Sequence, residues 1–107
     1  ASGSELIFLT PCMIGTHASD LITDDYLRSL AESICTPEST SVVDAYMDSA
    51  RALCAEMGVR VCDCYANWKL MEAAGVDVTA LLANDINHPT SLLHKMFAYE
   101  LVKMMLS

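Results

Sequence analysis

Apolar residues recur along this chain with two different periods. Residues 5–10, from Glu5 through Leu6, Ile7, Phe8 and Leu9 to Thr10, form a short apolar run ended by Pro11, and residues 59–65 bring Val59, Val61, Cys62, Cys64 and Tyr65 together. Runs this short, bounded by breakers, fit strands of a parallel sheet, and the first predicts a strand buried on both faces. Helical spacing governs the rest. Tyr26, Leu27, Leu30 and Ile34 predict a short helix over residues 24–34, inside a long irregular stretch at 12–40 that holds Gly15, Thr16, Ser19 and Pro37. Val42, Val43, Tyr46, Ala50, Leu53, Cys54 and Met57 make one stripe, which predicts a helix capped by Ser41 and stopped by Gly58.

Residues 66–74 predict another helix, anchored by Trp68, Leu70 and Met71 and ended by Gly75, with a turn opened by Asp77 or Thr79 behind it. The last helix, residues 89–106, carries Leu93, Phe97, Leu101 and Met104 on one face, with Leu92, Met96 and Met105 beside them. Helix alternating with strand is the order of an α/β fold. Two parallel strands make too small a sheet to stand alone and leave apolar helix faces wet. The pattern therefore predicts partner strands from a second chain or from a preceding segment.

Composition sharpens this picture. At 107 residues the chain is long enough for one small domain, here a single segment over residues 1–107. Its hydrophobic content, 53%, is high for that size, which again implies apolar surface meant for contact with something else. A net charge of −8 repels phosphate backbones and excludes nucleic acid as a partner. No apolar run approaches the roughly 20 residues of a membrane span. Five cysteines, odd in number and irregular in spacing, allow no complete disulfide framework and slightly favour a reducing, cytoplasmic setting. The opening Ala1, Ser2, Gly3 and Ser4, without an initiator Met, reads as the start of a fragment, a processing product or an expression scar.

The most specific chemistry lies in residues 82–95. Asp85 and His88 stand three apart in a loop closed by Pro89, just ahead of the last helix. A carboxylate that accepts from one imidazole nitrogen fixes the tautomer and frees the other nitrogen to take a proton from a nucleophile. The plainer alternative is capping, in which Asp85, Asn87 and His88 satisfy the orphan amides of that helix. Placement behind alternating strands and helices favours the chemical reading, because such folds build sites at strand carboxyl ends and helix N-termini. The loop leaving the first strand is well placed to line a substrate cleft.

Other candidates weigh less. His17, with Cys12 and Asp20 nearby, fits a polar loop; a metal site from Cys12, His17 and the Cys62/Cys64 pair lacks ligand spacing. Cys62 and Cys64 face one way from the predicted strand as core residues, with Asp63 opposite. Trp68 and Met71 fit core anchors better than an acyl-chain pocket.

Taken in order, these features resemble the C-terminal half of an SGNH (GDSL-type) esterase or lipase. They are a strand ending Leu9, Thr10, Pro11, a long helix, a strand with Val61, Cys62, Asp63, Cys64 and Tyr65, and the run Asp85, Ile86, Asn87, His88, Pro89 with His94 beyond. That family's last sequence block is Asp-x-x-His-Pro, often followed by Gly-His and an amphipathic helix. The resemblance implies a three-layer, flavodoxin-like α/β fold, incomplete in this chain, that cleaves acyl or acetyl esters without metal or cofactor. By position Asp85 matches the triad Asp and His88 the general base. Leu93 stands where the family commonly has Gly, so His94 receives no catalytic role. The family's Gly-Asp-Ser nucleophile block and the Gly and Asn of its oxyanion hole have no counterpart here, and no serine, Ser4 included, follows a strand in that setting.

The expectation is a serine esterase acting on a small-molecule ester. This chain supplies Asp85 and His88, and the N-terminal portion of the domain or a second chain supplies the serine and the oxyanion donors, so this chain alone is inactive. The rival expectation is a non-catalytic α/β interaction module that docks through its apolar helix faces.

Overall fold

A computed structural model describes residues 3–107; Ala1 and Ser2, the first half of the opening tetrapeptide, lie outside the described residues. Strand β1 (Ile7–Leu9) leads through helix α1 (Asp25–Ile34) and helix α2 (Pro37–Met57) to strand β2 (Arg60–Cys62). Helix α3 (Cys64–Ala73), a 3-10 turn (Val78–Leu81) and helix α4 (Ser91–Met105) follow. The strands pair in parallel, with Ile7 opposite Arg60, Phe8 opposite Val61 and Leu9 opposite Cys62. Successive side chains of a strand point to opposite faces. Accordingly Phe8 lines a groove with Tyr46, Ala50 and Leu53 of α2, whereas Leu9 lines a cleft with His94 and Phe97 of α4. The chain is a mixed α/β structure with a helix on each side of a two-stranded parallel sheet.

Several boundaries differ from those the sequence predicts, each for a local reason. The first strand is not buried on both faces: Leu6 is 71% exposed and Leu9 41%, because the sheet ends at β1. Helix α2 starts at Pro37, not after Ser41, since Thr36 accepts from the Ser39 N–H at 3.1 Å and the fixed φ of Pro37 suits the first helical position. The second strand stops at Cys62 because Asp63 turns its carboxylate to the Ala66 N–H and caps α3. Cys62 and Cys64 therefore sit in different elements, though both are buried as core residues. Helix α4 begins at Ser91 behind Thr90, leaving Pro89 in a bridge with Leu82.

One partly buried polar knot joins the strands to the helices. Thr10, fully buried, donates its hydroxyl to Asp63 Oδ1 (2.9 Å) and accepts the Tyr65 N–H (2.8 Å). Asp63 also takes Arg51 Nε at 2.6 Å and Nη2 at 3.1 Å, so a two-pronged guanidinium ties α2 to the end of β2. Burial raises the Asp63 carboxyl, but hydrogen bonds from Arg51, Thr10 and the Ala66 amide outweigh it and hold the group below the usual carboxylate range. The Tyr65 hydroxyl reaches Asp44 at 2.6 Å, pinning α3 to α2.

Met13, Met47, Tyr65, Trp68, Val78, Leu82 and Leu93 form the main core. Trp68 is an anchor of that core, as its spacing predicts, with Met71 packed at its edge. A smaller cluster of Ile22, Ala31, Cys35 and Ile86 lies beneath the loop that carries Asp85. The predicted α2 stripe is only partly used: Cys54 is buried and Val43 and Ala50 half-buried, while Val42, Tyr46, Leu53 and Met57 face outward, and the buried Met47 lies outside the stripe. Among the described residues, no helix is long and apolar enough to cross a membrane.

Candidate active site

The Asp85 loop is built from its base upward. Leu82 and Pro89 pair as an antiparallel bridge, the Thr90 N–H donates to Leu81 O at 3.1 Å, and the Ala83 N–H donates to His88 O at 2.6 Å. Inside this closure Asn84 organises the turn: its Oδ1 accepts the N–H groups of Ile86 (3.1 Å), Asn87 (2.9 Å) and His88 (3.0 Å). Its Nδ2 donates to Asn87 Oδ1 at 2.8 Å. One short amide side chain thus replaces the backbone partners that a loop cannot find for itself. Ile86, 4% exposed, drives the tip of the loop into the smaller core cluster.

Asp85 holds φ = 58°, and among the described residues no other non-glycine residue has a positive φ. Aspartate tolerates this left-handed conformation better than most side chains, yet it is a strained choice. Asp85 is half-buried and His88 exposed. Neither side chain forms a hydrogen bond among the described residues, with the other or with any third group. The capping alternative fails on this point. Thr90 caps α4 through its hydroxyl and the Leu93 N–H, so Asp85, Asn87 and His88 have no capping role. The carboxylate and the imidazole share one rigid loop but are not joined.

A cleft of about 370 Å³ opens beside this loop, at the carboxyl end of β1. Leu9, Pro11, Pro89 and Phe97 give it apolar walls, and Thr10, Cys12, Asn87 and His94 add polar edges. The loop leaving β1 does line a cleft, and the two residues flanking His88 form part of it. Cys12 donates its thiol to Asn87 O at 3.5 Å, and burial pushes that thiol up, so it stands in the cleft as a protonated group. His94 tilts against Phe97 with ring centroids 6.2 Å apart.

Sequence reasoning missed a second Asp–His pair. His17 Nε2 lies 3.2 Å from both carboxylate oxygens of Asp77, on the rim where the β1 loop meets the 3-10 turn. Asp77 also accepts the Thr79 N–H at 3.2 Å, while Thr79 Oγ1 accepts the Thr16 N–H at 2.9 Å. These contacts staple the β1 loop to the chain ahead of Asp85. Both partners of the pair are about half exposed, so it is a surface clasp between the two segments. Only a short polar turn at Asp77 and Thr79 signals it in the sequence. Asn84 had a clearer signal, an Asn-Asp dipeptide of the kind that makes Asx turns.

Cys12 and His17 are thus engaged with separate partners. Among the described residues, no group of three or more His, Cys, Asp or Glu is arranged to hold a metal ion. Compared with protein-family models, with curated proteins and with solved structures, the chain matches none.

Proposed function

We propose that this chain provides the acid–base half of a serine ester hydrolase of the SGNH type, with Asp85 and His88 as two members of a Ser-His-Asp triad. The observation that carries the reading is the unengaged state of these two side chains. They sit on a loop made rigid by Asn84, beside a cleft at the carboxyl end of a parallel strand, where α/β folds place their chemistry. A carboxylate held at φ = 58° without a structural partner is a strain that function explains better than stability does. The open side of β1 and the outward apolar face of α2 support a flavodoxin-like, three-layer domain completed by further strands and helices.

In the completed site a serine from the remaining segment attacks the ester carbonyl as His88 takes its proton. The tetrahedral adduct collapses to an acyl-serine when His88 returns that proton to the departing alkoxide. Water, deprotonated by His88, then releases the acid and restores the serine. Asp85 swings onto the imidazole to hold its tautomer and stabilise the imidazolium. Donors from the remaining segment hold the oxyanion, and no metal or cofactor enters these steps.

The test uses the assembled hydrolase, this chain with the segment that bears the serine, and p-nitrophenyl acetate or butyrate as substrate. His88→Ala lowers turnover by about a thousandfold or more with the near-ultraviolet circular dichroism unchanged. Full turnover in that variant sinks the proposal. The exposed groove of Phe8, Tyr46, Leu53 and Met57 favours a second reading, an interaction module. Under that reading Tyr46→Glu abolishes partner binding and His88→Ala changes nothing.

A further inference from the structure

We propose that Gly15 is a positioning residue for the Asp85–His88 loop, its missing side chain setting the depth at which the Asp85 peptide rests; this rests on the catalytic reading of that loop. Gly15 is buried in the loop after β1, two residues beyond the core residue Met13. Its N–H donates to Ile86 O at 2.7 Å, a short bond that draws the two loops together. A β carbon at this position would stand 2.9 Å from Cys35 Sγ, 3.2 Å from Asp85 O and 3.4 Å from Thr79 Cγ2. The positive-φ glycines are Gly3, Gly58 and Gly75, so Gly15 keeps a backbone conformation that alanine also adopts. The demand for glycine here is one of contact and not of conformation.

The three walls around Gly15 are unequal. Cys35 is 5% exposed and belongs to the smaller core cluster, and Thr79 is 1% exposed and bonded to Thr16. Close-packed neighbours of this kind yield little. The Asp85 carbonyl belongs to a half-buried residue of the surface loop, which Asn84 ties together internally, so the loop shifts at this wall as one body. A methyl group on residue 15 therefore wedges against Cys35 and displaces the Asp85 peptide outward, carrying His88 with it through the turn that Asn84 holds together. A shift of a few tenths of an ångström is small for folding and large for proton transfer, which depends on near-contact alignment.

The experiment compares Gly15→Ala, Cys35→Ala and the double variant, first in this chain by nuclear magnetic resonance of the His88 and His94 imidazoles. In Gly15→Ala the His88 ring resonance moves, while that of His94 stays in place. Adding Cys35→Ala opens room behind the methyl group and returns His88 to its original signal. In the assembled hydrolase, Gly15→Ala lowers kcat about tenfold with KM little changed, and the double variant recovers most of the loss. A folded Gly15→Ala chain with an undisturbed His88 overturns the proposal, as does a double variant in which His88 remains displaced. If Gly15→Ala alone does not fold, the double variant decides in the same way. A displaced His88 with full turnover overturns the catalytic reading of the loop and leaves the packing of Gly15 against Asp85 standing.

Discussion

The side-chain oxygen of Asn84 accepts the backbone N–H of His88 at 3.0 Å, so the residue that orients the imidazole's peptide is an amide four positions earlier. The same oxygen holds the amides of Ile86 and Asn87. Asn84→Ala frees all three, but the Asn87 and His88 amides are exposed and turn to water, so the expected loss is about 1 kcal/mol instead of three full hydrogen bonds. Urea unfolding measures that loss, and amide exchange at residues 86–88 quickens with it. Asn84→Asp keeps the acceptor and sets an oxygen against Asn87 Oδ1 in place of the Nδ2 donor, so its exchange pattern falls between the two. Unaltered exchange in Asn84→Ala means that the loop draws its order from elsewhere.

Asp85→Gly separates stability from chemistry. Glycine adopts φ = 58° without steric penalty, and part of that gain is offset by its greater freedom in the unfolded chain. The net expectation is a gain of about 0.5 kcal/mol in unfolding free energy, together with loss of the carboxylate and of most ester turnover in the assembled hydrolase. Such opposed changes mark a residue kept for function. A destabilised Asp85→Gly chain would show instead that the side chain supports the loop.

Acid weakens the knot at Asp63. Its carboxyl is depressed in the folded chain, so the stabilisation is complete above the unfolded carboxyl value of about 3.9 and is lost as pH falls through the lower folded value. Unfolding free energy measured between pH 6 and pH 2 therefore drops at the acid end, and Asp63→Asn flattens part of that drop. Both partners of the Arg51–Asp63 pair remain about 30% exposed, so solvent screening keeps the effect modest. An identical pH profile for Asp63→Asn and the parent chain would place the acid sensitivity elsewhere.

Elements were legible where one periodic signal acts alone. The α4 stripe of Leu93, Phe97, Leu101 and Met104 turns inward as its spacing predicts, and β1 and β2 lie at the two short apolar runs. Boundaries were illegible where a polar side chain has two uses. Asp63 reads as an outward strand residue, yet its carboxylate ends the strand by capping α3. The sequence reading puts the α2 cap at Ser41, whereas the helix starts at Pro37 with Thr36 as its cap. In the same way Asp85 and His88 stand out by spacing, but nothing local reveals that Thr90 relieves them of capping.

The sequence by itself determined the order of helices and strands and the loop that carries Asp85 and His88, because periodicity, caps and turns act over a few neighbouring residues. Tertiary structure alone decided what surrounds that loop. Gly15 against Ile86, Cys12 against Asn87 and His17 against Asp77 bring together residues 60 or more positions apart. Such contacts form only when the loop after β1 and the segment leading into α4 close on the same core, and no local pattern along the chain records which distant residue will fill the space beside another.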